Sequence, residues 1–544
     1  MDDVDLKGEA STGYGGALPH KTKSLCPECM KLLDALVYGE DGIVWIKKTC
    51  PEHGEFKEKY WESIEMYERE RKHATKPTPT LNPNVKTGGT NCPFDCGLCT
   101  RHKSHTALAN IVVTNRCDLC CWYCFFYAKE GQPIYEPTLD QIRGMVKNLR
   151  DEKPVHCNAI QLTGGEPTLR EDLVEIVRIC KEGGVDHVQV NTDGINFAFK
   201  PELVKQLREA GSNTVYMSFD GVTPQTNPKN HWEAPYAIEN CRKANFGIVL
   251  VPTLIKGVND HELGAMINFG LNHSDVIRAV NIQPVSLVGR MPQDLREKQR
   301  ITIPKAIEKI EEQTNGAITK EDFFSVPTVG PVTEFVEAMT QKPSYKLSTH
   351  FACGAATYVI KGTDGKVVPL PQFVDVEGLM EYLTEKSEAK KAGKNKAVIG
   401  MQVLMKIGKF IDKKKQPQGF NFTKLMLGAL VKHDYRALGE LQHKSMLIGM
   451  MHFQDPYNYD VERVERCCIH YTMPDGRIIP FCAFNVIPEV YRDKVQAQYA
   501  IPQKEWEKKT GRTMAGDKYK RDAEKLVQGE PYKKAYTGLK NYFA

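Results

Sequence analysis

From residue 107 to about 290 the chain alternates short apolar runs with amphipathic segments, and this alternation predicts a parallel α/β sheet. The strands fall at 109–115 (ANIVVTN), 159–164 (AIQLTG), 187–193 (HVQVNTD), 214–220 (TVYMSFD), 247–255 (GIVLVPTLI) and 280–286 (VNIQPVS). Helices at 138–151, 171–183, 201–210, 235–244 and 260–272 connect them. Six strands and five helices are too few for the usual eightfold barrel, so the expected fold class is α/β, a partial (β/α)6 barrel. In such a fold the chemistry belongs at the C-terminal ends of the strands.

Elsewhere the pattern changes. Residues 1–24 are acidic and Gly/Ser-rich without a continuous apolar core, which reads as a mobile tail and as neither a signal peptide nor a membrane span. Residues 25–106 carry cysteines in short loop-like segments and look organised by metals more than by a core. The barrel region, 107–300, is followed by a C-terminal region, 301–500, with helices at 304–314 and 331–340. It has a hairpin at 357–370 turned at Thr363-Asp364-Gly365, then helices up to a second hairpin at 469–481 turned at Pro474-Asp475-Gly476. Residues 501–544 are charged and Tyr-rich and show no motif.

At 544 residues the chain is too long for one core, and 41% hydrophobic with 26% charged residues is ordinary for a soluble protein. A net charge of +5 names no partner, but residues 386–415 hold ten lysines against Glu388 and Asp412. Val398, Met401, Leu404, Met405, Ile407 and Ile411 recur there at helical spacing, and a Met-rich wall that includes Leu425, Met446, Leu447, Ile448, Met450 and Met451 follows. Such a basic amphipathic segment suits an anionic membrane surface, or it is a lysine-coated helix over an ordinary core. Aromatic residues do not interleave with the lysines, so nucleic acid is not expected. The longest apolar stretch, 397–411, is broken by Gln402, Lys406 and Lys409, too early for a spanning helix.

Cysteine is the departure from ordinary composition: 17 residues, fourteen of them in tight groups. Grouping of this kind favours metal thiolates over disulfides and a reducing, cytosolic setting. Cys117, Cys121 and Cys124 form a C-x3-C-x2-C triplet just after the first barrel strand, a spacing that suits an iron-sulfur cluster with one open iron or, alone, a zinc knuckle. Cys92, Cys96 and Cys99 repeat the spacing and read as an auxiliary cluster or a zinc site, with Cys120, His102 or His105 as the fourth donor. Cys26, Cys29, Cys50 and His53 have zinc-ribbon spacing around a Gly39–Gly42 turn and would hold mononuclear zinc or rubredoxin-like iron. Cys353, Cys467, Cys468 and Cys482 make a four-thiolate set at the two C-terminal hairpins. Cys157, Cys180 and Cys241 read as core.

The Cys117 triplet, with Tyr123 before its last cysteine, and the Gly164-Gly165-Glu166-Pro167 run after the second strand resemble the radical S-adenosylmethionine superfamily. The resemblance implies a [4Fe-4S] cluster on Cys117, Cys121 and Cys124 whose open iron chelates S-adenosylmethionine. Reductive cleavage would release a 5′-deoxyadenosyl radical that abstracts an unactivated hydrogen. It also implies cofactor contacts from Tyr123, Gly164, Gly165 and Glu166, and from the polar strand ends Asn191, Thr192, Asp193, Ser218 and Asp220. Taken singly, those strand ends are equally ordinary turn and cap residues.

Residues 26–56, 92–99 (CPFDCGLC), 117–128, 164–168 and 450–460 (MMHFQDPYNYD) are together similar to the archaeal tetraether lipid synthase family. That similarity implies two auxiliary [4Fe-4S] clusters, a low-potential electron donor, an archaeal diether phospholipid substrate and contact with the inner face of the membrane. The expected reaction joins terminal methyl carbons of two isoprenoid chains inside a long apolar tunnel. His452, Gln454, Asp455, Tyr457 and Asp460 would line the site or form a local hydrogen-bond network. The alternative is a radical methylase of a pterin or folate-type substrate, using a methylenetetrahydrofolate-type donor and a compact polar pocket. A non-enzymatic iron-sulfur electron carrier would leave the GGEP run without a purpose.

Overall fold

The computed structural model describes residues 16–83, 91–126, 131–430 and 444–544. Its first unit is a four-stranded antiparallel sheet of β1 (His20–Leu25), β2 (Leu32–Glu40), β3 (Ile43–Cys50) and β4 (Gly54–Trp61), paired in chain order. Asp41 and Gly42 both take positive φ, +50° and +78°, which closes the β2–β3 hairpin with the twist such turns need. The tail expected over 1–24 is therefore too long. His20 to Leu25 pair with Val37 to Leu32, while residues 1–15 lie outside the described residues. A polar edge strand that carries lysines gives no hydrophobic alternation to read.

The second sheet contains β5 (Leu108–Thr114), β6 (Ala159–Gly164), β7 (His187–Thr192), β8 (Thr214–Ser218), β9 (Gly247–Val251), β10 (Thr253–Leu254) and β11 (Ile277–Pro284). The principal strands β5, β6, β7, β8, β9 and β11 are parallel neighbours, the partial barrel that the alternating pattern predicts. They are buried on both faces, and amphipathic helices cover them. In Leu139–Arg150, for example, a Thr138/Gln141 capping box starts the helix, which then buries Ile142, Met145, Val146 and Leu149.

Later segments extend the barrel at both edges. They are β12 (Phe324–Ser325), β13 (Gly354–Lys361), β14 (Val367–Pro369), β15 (Ser445–Met451), β16 (Ile469–Thr472) and β17 (Ile478–Pro480). β15 runs parallel to β11 and antiparallel to β13, while β16 runs parallel to β5. The loops that lead into β5 and β13 touch: Ser104 lies 3.0 Å from Ser348. The Met-rich run at 445–451, expected to continue a helical apolar wall, is thus a strand buried between two others. A short apolar run does not by itself distinguish the two.

The lysine-rich segment is two helices, Val376–Lys391 and Lys396–Lys406. On the second, Ile399 and Val403 face a separate apolar core, whereas Val398, Met401, Leu404 and Met405 are 45–67% exposed. The stripe of Val398, Met401, Leu404 and Met405, expected to meet a membrane surface or to cover a core, therefore does not cover this core, and Ile399 and Val403 form a second stripe that does. No helix among the described residues is long and apolar enough to cross a membrane.

Candidate functional site

At the C-terminal ends of the barrel strands lies a cavity of about 190 Å³. Cys117, Cys121 and Cys124 are on its wall, together with Tyr123, Gly164, Gly165, Glu166, Asn191, Thr192, Asp193 and Ser218. Two glycines bring the loops after β5 and β6 into contact. A Cβ on Gly164, at φ +150°, would lie 2.0 Å from the Thr114 carbonyl oxygen, and one on Gly165 would lie 2.0 Å from that of Arg116. The backbone amides of Gly165 and Glu166 donate to those same carbonyls at 2.9 and 2.7 Å. Glycine is needed here for close approach, which places the GGEP turn against the thiolate loop.

The Glu166 carboxylate points inward. It accepts from the Thr168 amide and hydroxyl, the Thr192 hydroxyl at 2.8 Å and the Asp193 amide at 2.8 Å. Burial, then the neighbouring Asp118, raise Glu166 to about 7. Asp193 is pushed well above the usual carboxylate range by burial, then by Glu166 and Asp118. Its carboxyl group shares a side-chain hydrogen bond with Asp118, and Cys117, Asp118 and Asp193 bring ligand atoms within 4.8 Å of one another. A buried pair of carboxyl groups beside the Cys117 thiol fits a cationic cofactor next to a metal cluster, since a cation would reverse the repulsion that now protonates the acids.

Asp220 is held behind the wall. It accepts from the Tyr123 hydroxyl, pairs with Lys229 Nζ at 3.0 Å and accepts from the Thr253 amide at 2.9 Å. Lys229, which no sequence motif marks, lines the cavity and lies 5.1 Å from the Tyr123 ring centroid. Across the cavity Phe125, Phe453 and Phe481 form an aromatic wall, with centroids 5.2 Å apart from Phe125 to Phe453 and from Phe453 to Phe481. Deeper in the barrel Asn110, Gln161, Thr163, Asn191, Tyr216 and Gln283 supply polar groups.

The other cysteine groups separate. Cys92, Cys96 and Cys99 are buried around a small pocket that also holds His102. His102 Nε2 is 2.8 Å from the Cys467 carbonyl, and His105 is engaged by the Thr78 carbonyl and the Lys346 amide. Cys120 is exposed, takes Arg290 Nη1 at 2.6 Å, and is not on the wall of that pocket. Cys353, just before β13, is a neighbour of Cys467, Cys468 and Cys482, around β16 and β17: burial, then Cys482, Cys468 and Cys353, push Cys467 well above its ordinary value. Buried Arg463 donates to Cys353 Sγ at 3.3 Å. Of the residues at 452–460, Asp455 pairs with buried Arg300 and Asp460 accepts from Tyr60, so both are tied into the interior and to the ribbon.

In the ribbon, His53 Nδ1 lies 3.6 Å from Cys26 Sγ and 3.4 Å from Cys50 Sγ, and Cys29 Sγ is 3.9 Å from Cys50 Sγ. Desolvation raises the Cys50 thiol, but hydrogen bonds from the Glu52 and His53 amides and the His53 ring bring it down to about 6. Three cysteines and an imidazole, one of the thiols with a low pKa, fit tetrahedral zinc.

A barrel of this kind, with a thiolate triplet facing a GGEP turn, defines a radical S-adenosylmethionine enzyme, and the radical SAM superfamily profile matches residues 111–270. The HMPTM N-terminal zinc ribbon domain matches residues 18–62 and makes the ribbon a zinc site. The chain is 44% identical over 501 residues, 90% of its length and 97% of the relative's, to 7,8-dihydro-6-hydroxymethylpterin dimethyltransferase of Methanocaldococcus jannaschii. It belongs to that family. GTP 3′,8-cyclase of Limosilactobacillus fermentum is 35% identical over 187 residues, 32% of this chain and 54% of the cyclase. Methylornithine synthase, a solved structure, aligns over 39% of this chain and 64% of its own at 18% identity and a TM-score of 0.30.

These relationships overturn the expected tetraether synthesis. Four of the five segments that carried that similarity are zinc-ribbon, cluster-loop and GGEP segments, and 26–56 falls within the matched ribbon. Those four answer to metal chemistry rather than to the substrate, and only 450–460 contributes to the cavity wall beyond them, through Met451 and Phe453. The cavity also differs from a long apolar tunnel, since amides and aromatic rings share its wall.

Proposed function

We propose that this protein is a radical S-adenosylmethionine methyltransferase acting on a hydroxymethyl-dihydropterin. The observation that carries the reading is the near full-length relationship to the pterin dimethyltransferase, supported by the matched ribbon. In this reading Cys117, Cys121 and Cys124 hold the [4Fe-4S] cluster, which together with S-adenosylmethionine supplies a carbon-centred radical able to take hydrogen from carbon.

The chain's own groups then have separable tasks. Gly164 and Gly165 let backbone approach the cofactor, and the Asp118–Asp193–Glu166 group offers negative charge to its cationic end. Lys229, held by Asp220, supplies the one cationic side chain on the cavity wall among the described residues. Phe125, Phe453 and Phe481 exclude water and cover a flat substrate. Cys92, Cys96 and Cys99, and separately Cys353, Cys467, Cys468 and Cys482, hold auxiliary clusters that pass electrons from a low-potential donor. Arg463 offsets thiolate charge at the second.

The test is anaerobic incubation of reconstituted protein with a reductant, S-adenosylmethionine, 7,8-dihydro-6-hydroxymethylpterin and, in a parallel arm, a methylenetetrahydrofolate-type donor. A methylated pterin is expected in at least one arm. Formation of 5′-deoxyadenosine with unaltered pterin in both would overturn the assignment.

A further inference from the structure

Parallel barrels usually fill their interiors with branched apolar side chains. Here three adjacent strands place carboxamides at one level instead: Asn110 on β5 is in register with Gln161 on β6, which is in register with Gln189 on β7. All three are buried, a costly choice unless the amides are hydrogen-bonded.

They form a directional chain. Asn110 Nδ2 donates to the His470 carbonyl at 3.2 Å, which turns its Oδ1 toward Gln161 Nε2 at 2.9 Å, and Gln189 Nε2 donates in turn to Gln161 Oε1. Because a backbone carbonyl anchors one end, no amide in the row can flip without breaking the next bond. Gln161 spends one N–H and one lone pair on the row, so one of each is left, and its side chain is on the cavity wall. Phe453 and Phe481 stand on that wall too.

A fixed donor–acceptor pair in a cavity that also has an aromatic wall suits a flat heterocycle whose edge alternates donors and acceptors and whose faces are π surfaces, as the pyrimidine edge of a pterin does. An aliphatic chain would leave the amide unpaired. We propose that Gln161, oriented by Asn110 and Gln189, reads the pyrimidine edge of the pterin ring. The assignment rests on the pterin reading above and adds the residue that makes the site specific.

The experiment is equilibrium binding of 7,8-dihydro-6-hydroxymethylpterin and, separately, of S-adenosylmethionine to anaerobically reconstituted wild type, Gln161→Leu and Gln161→Glu. Glu keeps the side-chain size and removes the N–H donors, and it serves where Leu does not take up iron. Each variant should bind the pterin about tenfold or more weakly while S-adenosylmethionine affinity stays at the wild-type value. Wild-type pterin affinity in the variants would overturn the role of Gln161. Failure of the wild type itself to bind the pterin would instead overturn the pterin reading, and this role with it.

Discussion

Arg116 Nη1 donates to Asp517 Oδ2 at 2.5 Å, a buried pair 401 residues apart in sequence. It joins the residue before Cys117 to the C-terminal segment, in which the sequence shows no motif. Lys518 donates to the carbonyls of Cys117 and Leu119 at 3.0 and 3.4 Å, and the Tyr519 amide donates to that of Asp118. The segment is a strap that fixes the thiolate loop from outside the barrel.

Removing Asp517 leaves a buried guanidinium short of one charge, although Glu136 and the Leu169 carbonyl still hold Arg116. Asp517→Ala should lower unfolding free energy by about 3 kcal/mol in denaturant melts and reduce iron retained per chain. Glu171→Ala, at the exposed Arg512 bridge, should change stability by less than about 1 kcal/mol. Equal losses in the two variants would show that the strap does not act through Arg116.

Glu152 is buried against the Thr106 hydroxyl and amide, and desolvation, partly offset by those bonds, raises it to about 7 from 4.5. The folded chain therefore keeps a proton that the unfolded chain has lost between pH 4.5 and 7. The associated stability is complete below 4.5 and is lost as pH rises to 7, roughly 3 kcal/mol in all. Glu152→Gln should flatten the pH dependence of unfolding in that window. An unchanged slope would mean that Glu152 is ionised in the fold.

The barrel was legible because its strands and helices differ in period, and the thiolate triplet and GGEP run because their spacing is local. Lys229, Asp118 and the Asn110–Gln161–Gln189 row were not, since their meaning lies in strand register rather than in sequence neighbours. In the segment at 396–406 the sequence leaves open which apolar stripe faces the core, since Val398 and Met405 are as apolar as Val403 and Ile399.

Which stripe faces the core is measurable. Val403→Ala opens a fully buried site and should cost about 2 kcal/mol, whereas Met405→Lys, at 67% exposure, should stay within about 0.5 kcal/mol. The reverse order would mean that Val398 and Met405, not Ile399 and Val403, face the core.

The ribbon grips the segment that leads to Cys467. Lys48 Nζ donates to the carbonyls of Pro456 and Tyr457 at 2.7 and 2.9 Å, Tyr60 donates to Asp460 at 2.7 Å, and Thr22 donates to Asp460 at 2.6 Å. The gripped segment also carries Phe453 of the cavity wall, and its Gln454 amide donates to Cys482 Sγ at 3.4 Å. Chelating zinc should thus speed amide exchange across 452–460 as well as in the ribbon. Faster exchange confined to residues 20–61 would separate the ribbon from the site.

Two glycines make opposite predictions. Gly165 admits no Cβ: the added atom would meet the Arg116 carbonyl oxygen at 2.0 Å and its carbon at 2.6 Å, both backbone. The β5 and β6 loops would have to part, breaking the Glu166 amide bond to Arg116 and shifting Glu166 from Thr192 and Asp193. Gly165→Ala should therefore weaken S-adenosylmethionine binding about tenfold or more and lower the melting temperature. Gly144 lies mid-helix on an exposed face, and a Cβ there meets nothing within 4 Å. Gly144→Ala should stabilise by about 0.5–1 kcal/mol through lost unfolded-state entropy, with cofactor binding unchanged. If Gly165→Ala bound the cofactor as the wild type does, close approach of the two loops would not be what the GGEP glycines provide.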